Sequence, residues 1–122
     1  MIEVEKVDFV SVLTQDISRA KEFYGETLCL ELETEGENDM ESRLGQVTLD
    51  VFNPASIGQP FAPSLAGIAI RVPDVASARA ALESRGVEFG GETHDTGVCH
   101  MAFFRDPDGN ALMLHRRYAP RA

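Results

Sequence analysis

The feature that most constrains the fold of this chain is an internal repeat, in which the second half follows the pattern of the first. Asp16 and Asp74 lie 58 residues apart, and each precedes an amphipathic segment. At the same offset Ala20 aligns with Ala78. Each half predicts a strand, a helix and then about three strands, so the sequence predicts two βαβββ modules.

The first half begins with a β-branched apolar run, Val7–Leu13, which predicts a buried strand. Asp16 is a suitable N-cap for the helix that follows it. The acidic stretch Glu35–Glu41 predicts a solvated loop. Three further runs in this half predict strands, namely Leu28–Thr34, Met40–Leu44 and Gln46–Phe52.

A proline-containing segment, Asn53–Ser64, predicts a linker, because its prolines do not suit a central strand. The second half then repeats the order. Leu65–Val72 predicts a buried strand, and Asp74 predicts the start of a helix. Val87–Phe89 begins a further strand, and Gly90–Gly97 predicts a loop.

The end of the chain predicts a β-hairpin, since two apolar runs flank a short segment of turn residues. The runs are Val98–Phe104 and Ala111–His115, on either side of Arg105–Asn110. Pro107 favours the second position of a type I turn, and Gly109 tolerates the left-handed conformation that closes it. The spacing therefore fits antiparallel strands joined by a tight connection.

Together these elements predict an α+β fold in which two βαβββ modules form a cupped mixed sheet with helices on its outer face. The predicted domain covers residues 1–122, with module one at about 1–53, a linker at 54–64 and module two at about 65–118. One module cannot bury both faces of its own sheet, whereas two modules side by side can. The inner concavity is the predicted place for a small-molecule ligand.

Composition excludes several classes of partner. Acidic residues outnumber basic ones by 20 to 11, and the formal charge of −9 argues against nucleic acid and mildly favours a cationic ligand. Two cysteines, Cys29 and Cys99, give no disulfide framework and fit a reducing cytoplasm. A charged beginning and the lack of a long apolar run predict neither a signal peptide nor a membrane span.

Four features in order resemble the vicinal oxygen chelate superfamily, which includes glyoxalase I, bleomycin-resistance proteins and extradiol dioxygenases. They are the repeat, the helix Asp16–Tyr24, the segment Arg71–Val75 and the turn Asp106–Asn110. The resemblance extends over nearly the whole chain. It implies the cupped fold described above and a homodimer.

The metal-dependent members of that family place His, Gln or Glu ligands at four positions in the cup. Transferred position by position, these fall on Phe9, Asp50, Gly67 and Met113. Phe9 and Gly67 offer no donor atom, and a methionine thioether suits the family's divalent ions poorly. A catalytic metal site needs about three protein ligands. The sequence therefore predicts no metal ion and no cofactor.

Strand alternation, combined with the family pattern, predicts which side chains line the cup. The predicted ligand-binding residues are Phe9, Ser11, Asp50, Phe52, Arg71, Cys99, Met101, Phe103, Met113 and His115. This lining is apolar with few polar groups, which is typical of a small-molecule site. Alternatively, the apolar side chains simply fill a core.

The sequence leaves alternative roles open for the polar residues among these candidates. Asp50 is an anchor for a cationic ligand, a base with a pKa raised by burial, or an uninvolved carboxylate. His115 and Cys99 form either a thiolate–imidazole pair or an inert packing contact. Arg71 pairs with Asp50, binds a ligand carboxylate or is solvated. His94 and His100 are either a candidate metal-binding pair without further ligands or a solvated loop residue and a strand-end histidine.

We therefore expect a metal-independent protein that sequesters an apolar or cationic small molecule, as the bleomycin-resistance branch does. One alternative is a lyase, isomerase or dioxygenase-like enzyme that uses Asp50 and His115 for acid–base chemistry or has a non-standard metal site. Another is an accessory subunit whose cup packs against a partner. The fold alone does not choose among these functions.

Overall fold

Among residues 1–121, eight strands and two α-helices occur in an order that is repeated once, β-α-β-β-β. The computed structural model describes residues 1–121. By its internal contacts the chain divides into two units: unit 1 is Met1–Ala62, and unit 2 begins at Pro63. Each unit contains one four-stranded mixed sheet and one α-helix. The α+β class and the two βαβββ modules predicted from the sequence are thus confirmed.

Unit 1 has the sheet order β1-β4-β3-β2, in which β1 runs parallel to β4 and the other neighbours are antiparallel. Its elements are β1 (Phe9–Leu13), α1 (Ile17–Lys21), a π-helical turn (Glu22–Thr27), β2 (Thr34–Glu35), β3 (Asp39–Leu44) and β4 (Val47–Phe52). A 3-10 turn, Pro54–Ile57, follows β4.

Unit 2 repeats this arrangement with the sheet order β5-β8-β7-β6, in which β5 is parallel to β8. Its elements are β5 (Ile68–Arg71), α2 (Val75–Ser84), β6 (Phe89–Asp95), β7 (Cys99–Arg105) and β8 (Ala111–Arg117).

The predicted N-caps are confirmed in both units. The carboxylate of Asp16 accepts a hydrogen bond from the backbone N–H of Arg19 at 3.1 Å. The carboxylate of Asp74 accepts the equivalent bond from Ser77 at 3.2 Å. Each bond satisfies an N–H group at a helix start that has no partner within the helix.

The prediction of a strand over Leu28–Thr34 is wrong for most of its length, because only Thr34 belongs to β2. The N–H groups of Leu28 and Leu30 bond instead to carbonyls of the preceding helical turn. Cys29, with a φ of 59°, takes the left-handed conformation that commonly ends a helix. The alternation of apolar residues therefore reflects side-chain burial and not a strand ladder.

Two predicted loops contain strand residues. The acidic stretch Glu35–Glu41 includes the start of β3, which begins at Asp39. The glycine-containing stretch Gly90–Gly97 lies largely in β6, whose pairing with β7 shifts register between Gly90 and His94. Both segments were predicted as loops because of their polarity and glycine content. In the structure, part of each segment pairs with a neighbouring strand, and this pairing makes it a strand.

The hairpin of β7 and β8 is confirmed, and the side chain of Asp106 organises its turn. Its Oδ1 accepts hydrogen bonds from the backbone N–H groups of Asp108 and Asn110, both at 2.9 Å. Its Oδ2 accepts from Nδ2 of Asn110 at 2.8 Å. The N–H of Gly109 donates to the carbonyl of Asp106 at 3.0 Å, and Gly109 has a φ of 91°. This is the hydrogen bond that closes a β-turn.

Each sheet buries one face beneath its helix. In unit 1 the alternating residues on the buried face are Val12, Met40, Leu49 and Val51, together with Ala20 and Tyr24 of the helical segment. In unit 2 they are Ala102, Phe104, Leu112 and Leu114, together with Val75 and Leu82 of α2. The opposite face of each sheet carries the residues predicted to bind a ligand.

Candidate functional site

One face of the unit 1 sheet carries most of its polar side chains, and we call it the polar face. The register of β1 with β4 places Ser11 opposite Asp50 and Phe9 opposite Thr48. The register of β3 with β4 places Glu41 opposite Asp50. Alternate residues of a strand share a face, so these side chains lie on the side away from the buried core.

Asp50 is the central carboxylate of the polar face and forms a hydrogen bond to a neighbouring strand. Oγ of Ser11 donates to Oδ2 of Asp50 at 2.9 Å. Burial raises the pKa of Asp50, the hydrogen bond from Ser11 lowers it, and the nearby negative charge of Asp39 raises it again. The net result is a pKa above the ordinary value of 3.8.

Three carboxylates converge on this face, and we call them the carboxylate cluster. Asp39, Glu41 and Asp50 each offer an oxygen, and these oxygens lie within 4.8 Å of one another. All three residues are partly buried. Like charges at this spacing repel one another, so a cation placed among them is electrostatically favoured. The cluster is suited to an ammonium group or a metal cation.

Sequence reasoning missed two of the three members of the carboxylate cluster. Asp39 and Glu41 were assigned to a solvated loop, yet both lie on β3. The signal was the alternation Asp39–Met40–Glu41, in which Met40 is fully buried and its two neighbours point the other way. Pairing β3 with β4 then brings their carboxylates to Asp50.

The donor atoms of the carboxylate cluster fit a hard divalent cation better than a soft one. Carboxylate oxygens are preferred by Mg²⁺, Ca²⁺ and Mn²⁺. Among the four positions transferred from metal-dependent relatives, only Asp50 belongs to the cluster. Gly67 has a φ of 76°, and a Cβ added there would lie 3.4 Å from Cε of Met113. The residues at Phe9, Gly67 and Met113 could supply no oxygen or nitrogen side-chain ligand.

In unit 2, residues predicted to bind a ligand lie in two cross-strand rows on one face of the sheet. Arg71 is opposite His115, which in turn is opposite Met101. Met113 is opposite Phe103 in the adjacent row. This face therefore combines a guanidinium and an imidazole with apolar side chains.

The sheet of unit 2 sets the neighbours of Cys99, His94 and His100. Cys99 pairs with Arg117, and its buried Sγ lies 3.1 Å from Oγ1 of Thr96. His94 and His100 point to opposite faces of their sheet, because His94 pairs with Met101 while Asp95 pairs with His100. His94 thus shares a face with His115 and Met101, which the sequence reasoning did not anticipate.

A second polar network lies at the end of unit 2. The hydroxyl of Tyr118 donates to Oδ1 of Asp95 at 2.8 Å, and Nε2 of His100 lies 3.3 Å from Oδ2. The rings of His100 and Tyr118 are 4.9 Å apart between centroids. The N–H of Gly97, followed by the Tyr118 hydroxyl, lowers the pKa of Asp95. This network holds Tyr118 beside the β6–β7 connection.

The fold and the sheet faces define a class of protein, and comparison with known families identifies it. A sequence model of the Glyoxalase/Bleomycin resistance protein/Dioxygenase superfamily matches residues 6–114. The chain belongs to this superfamily, which confirms the resemblance drawn from its motifs. Comparison with curated proteins gives no match.

Solved structures of the same family resemble this chain over nearly its whole length. A glyoxalase/bleomycin resistance protein from Streptomyces sp. CB03234 is 28% identical, with a TM-score of 0.72, and the match covers 91% of this chain and 100% of that one. A lactoylglutathione lyase from Agrobacterium tumefaciens is 17% identical, with a TM-score of 0.77 and coverage of 93% and 94%. A glyoxalase/bleomycin resistance protein/dioxygenase from Nocardioides is 15% identical, with a TM-score of 0.78 and coverage of 100% and 93%. The last two show similarity of fold alone.

Within residues 1–121, no helix is both long enough and apolar enough to cross a membrane.

Proposed function

We propose that this chain is a metal-independent small-molecule-binding protein of the glyoxalase/bleomycin-resistance type, which sequesters a cationic ligand with an apolar part. Asp50 is the proposed anchor for the cation. Ser11, Phe9 and Phe52 on the same face contribute polar and aromatic contacts. The predicted lining of unit 2, which includes Arg71, Met101 and His115, remains part of the proposal.

The observation that carries the proposal is the convergence of Asp39 and Glu41 on Asp50. Three carboxylate oxygens within 4.8 Å of one another form a concentrated negative charge on a partly buried surface. Partial burial strengthens the attraction between a carboxylate and a ligand cation, because water screens it less. Beside the cluster, Phe9 is 59% exposed, which leaves an aromatic ring available for an apolar ligand group.

Metal independence is supported by the residues at the family's ligand positions. Phe9 and Gly67 have no donor side chain, and Met113 offers only a thioether sulfur. A ligand cation could therefore take the place at Asp50 that a metal ion takes in metal-dependent relatives. This arrangement supports binding without catalysis.

Titration with small organic cations tests the proposal. Pentylamine and benzyltrimethylammonium would be added to ¹⁵N-labelled protein at low ionic strength, with binding followed by NMR. We expect saturable shifts at residues of the polar face and weaker binding in Asp50→Asn. Glu35→Gln is the matched control, because Glu35 is an exposed carboxylate on β2 that shares the opposite face with Met40. Equal affinity in Asp50→Asn, or no saturable binding, would overturn the proposal.

The same three carboxylates favour a second candidate, an enzyme with a non-standard metal site or with Asp50 and His115 as acid–base residues. Three oxygen donors are about the number that a catalytic metal site takes from the protein. The raised pKa of Asp50 also moves this group towards the range of a general base. This candidate predicts tight uptake of one divalent ion per chain.

Metal analysis separates the two candidates. The purified protein would be dialysed against Mn²⁺, Mg²⁺, Zn²⁺, Ni²⁺ or Fe²⁺ and its metal content measured. Stoichiometric uptake that is lost in both Asp50→Asn and Glu41→Gln, but kept in Glu35→Gln, would establish the metal site. Pentylamine binding that is unchanged by a chelator would support the metal-independent proposal.

The proposed setting is the cytoplasm, with a homodimer as the assembly. Two cysteines without a disulfide framework support a reducing compartment. The charge of −9 supports a partner other than nucleic acid. Equilibrium sedimentation would test the dimer directly.

A further inference from the structure

A groove of about 270 Å³ lies on the polar face of unit 1. Glu41 lines it, so the groove begins at the carboxylate cluster. Phe9, Arg43 and Thr48 line it as well, and all three share the polar face with Glu41. Lys6 contributes a second cation from the segment before β1. Asp8 and Gln46 complete the lining, so the groove carries two cations, Arg43 and Lys6, and two carboxylates, Glu41 and Asp8.

The spacing of the charges along β3 is set by strand geometry. Glu41 and Arg43 are alternate residues on one strand, so their Cα atoms are roughly 7 Å apart and their side chains leave the same face. Asp50 lies opposite Glu41, and Thr48 lies opposite Arg43. The negative and positive ends of the groove therefore correspond to two successive rows of the sheet.

Arg43 is suited to an external anion. Among residues 1–121, its guanidinium group has no hydrogen-bond or ion-pair partner. Nζ of Lys6 lies 3.8 Å from Oδ1 of Asp8, so the other cation of the groove is already paired. A guanidinium group can hold a carboxylate by two parallel hydrogen bonds.

We infer that the ligand is zwitterionic, with an ammonium group at the carboxylate cluster and a carboxylate at Arg43. A short apolar chain joins the two groups and lies against Phe9 and Thr48. This inference rests on the proposed function, because it requires the cation to bind at Asp50. It adds the anionic end of the ligand and the distance between the two charges, roughly the 7 Å that separates alternate residues of a strand.

Three probes of equal chain length test the inference: 5-aminopentanoate, pentylamine and pentanoate. Each would be titrated into the full-length ¹⁵N-labelled protein at low ionic strength. We expect 5-aminopentanoate to bind about 1.5- to fivefold more tightly than pentylamine, which is the range of a solvent-exposed ion pair. Pentanoate should show no saturable binding, because the carboxylate cluster repels it.

Arg43→Gln is the decisive variant. It should reduce the affinity for 5-aminopentanoate to that for pentylamine and leave pentylamine binding unchanged or slightly stronger. Arg121→Gln is the matched control, since it removes the same charge from an exposed residue of unit 2. Amide spectra of each variant would establish that the fold is intact.

The outcomes separate this inference from the proposed function. If pentylamine binds through Asp50 but 5-aminopentanoate binds no more tightly, the inference of a zwitterionic ligand is wrong, while the proposal of a cation site at Asp50 is supported. The same conclusion follows if Arg43→Gln keeps the advantage of 5-aminopentanoate. If neither amine binds, both proposals fail.

Discussion

Ser11 and Asp50 are joined across the parallel strands β1 and β4 by a hydrogen bond of 2.9 Å, which the serine hydroxyl donates to the aspartate. This bond stabilises the charged carboxylate, whereas burial and the charge of Asp39 destabilise it. The protonation of Asp50 is therefore set by opposing local effects. The hydrogen bond and the charge of Asp39 can each be removed by one substitution.

Ser11→Ala should raise the pKa of Asp50 further, because it removes the hydrogen bond that favours the charged form. Asp39→Asn should lower the pKa of Asp50, because it removes a neighbouring negative charge. The side-chain carboxyl ¹³C shift of Asp50, followed against pH, measures both effects. Shifts in the same direction for the two variants would contradict this account of the site.

Asp50→Asn should make the folded protein slightly more stable near neutral pH. The folded-state pKa of Asp50 is raised, so its contribution to stability is fully present below the unfolded value of 3.8 and is lost as the pH rises through the folded value. Because the side chain is only partly buried, the gain from an uncharged amide should be about 0.5 kcal/mol or less. Urea unfolding from about pH 3 to 7 measures it.

The control for this prediction is the comparison of the two proteins at low pH. Wild type and Asp50→Asn should converge in stability where Asp50 is protonated in both the folded and unfolded states. A variant that is less stable than wild type at neutral pH would show that the charged carboxylate stabilises the fold.

Asp106→Ala should destabilise the fold by about 2–4 kcal/mol, because buried donors lose their acceptors. Asp106 is 5% exposed and accepts from Asp108 and from two N–H groups of Asn110. Asp106→Asn keeps one side-chain oxygen as an acceptor and should cost less. Thermal and urea unfolding of both variants test this order. Equal stability of Asp106→Ala and wild type would show that the turn does not depend on the carboxylate.

Tyr118→Phe should raise the pKa of Asp95 towards its ordinary value of 3.8, since it removes one of the groups that hold it below that value. The pKa should remain below the ordinary value, because the N–H of Gly97 still donates to Oδ1 at 2.8 Å. Stability from the depressed pKa of Asp95 is present above the unfolded pKa and lost as the pH falls through the folded one. A carboxyl titration by NMR measures the shift, and an unchanged pKa would exclude Tyr118 as a cause.

Local features of the fold could be predicted from the sequence with accuracy. The caps at Asp16 and Asp74 and the turn at Asp106 depend on bonds within a few residues, so the sequence nearby contains the required groups. The repeat then fixed the order of elements in each unit. These features are among those that resemble the glyoxalase superfamily.

The errors occurred where pairing between distant segments decided the structure. β6 extends through a glycine-containing stretch because β7 offers it a partner. Residues 28–32 lack a ladder, because the N–H groups of Leu28 and Leu30 are used at the end of the helical turn. Neither outcome depends on the residues of the segment alone.

The sequence by itself determined the α+β class, the repeated modules, the helix starts and the final turn, because each depends on local periodicity or on short-range hydrogen bonds. Tertiary structure alone decided the carboxylate cluster. Glu41 meets Asp50 only through the register of β3 with β4, and Ser11 meets Asp50 only through a parallel pairing over 39 residues. Register places charges from distant parts of the chain on one face, and a shift of one residue would turn them to the other.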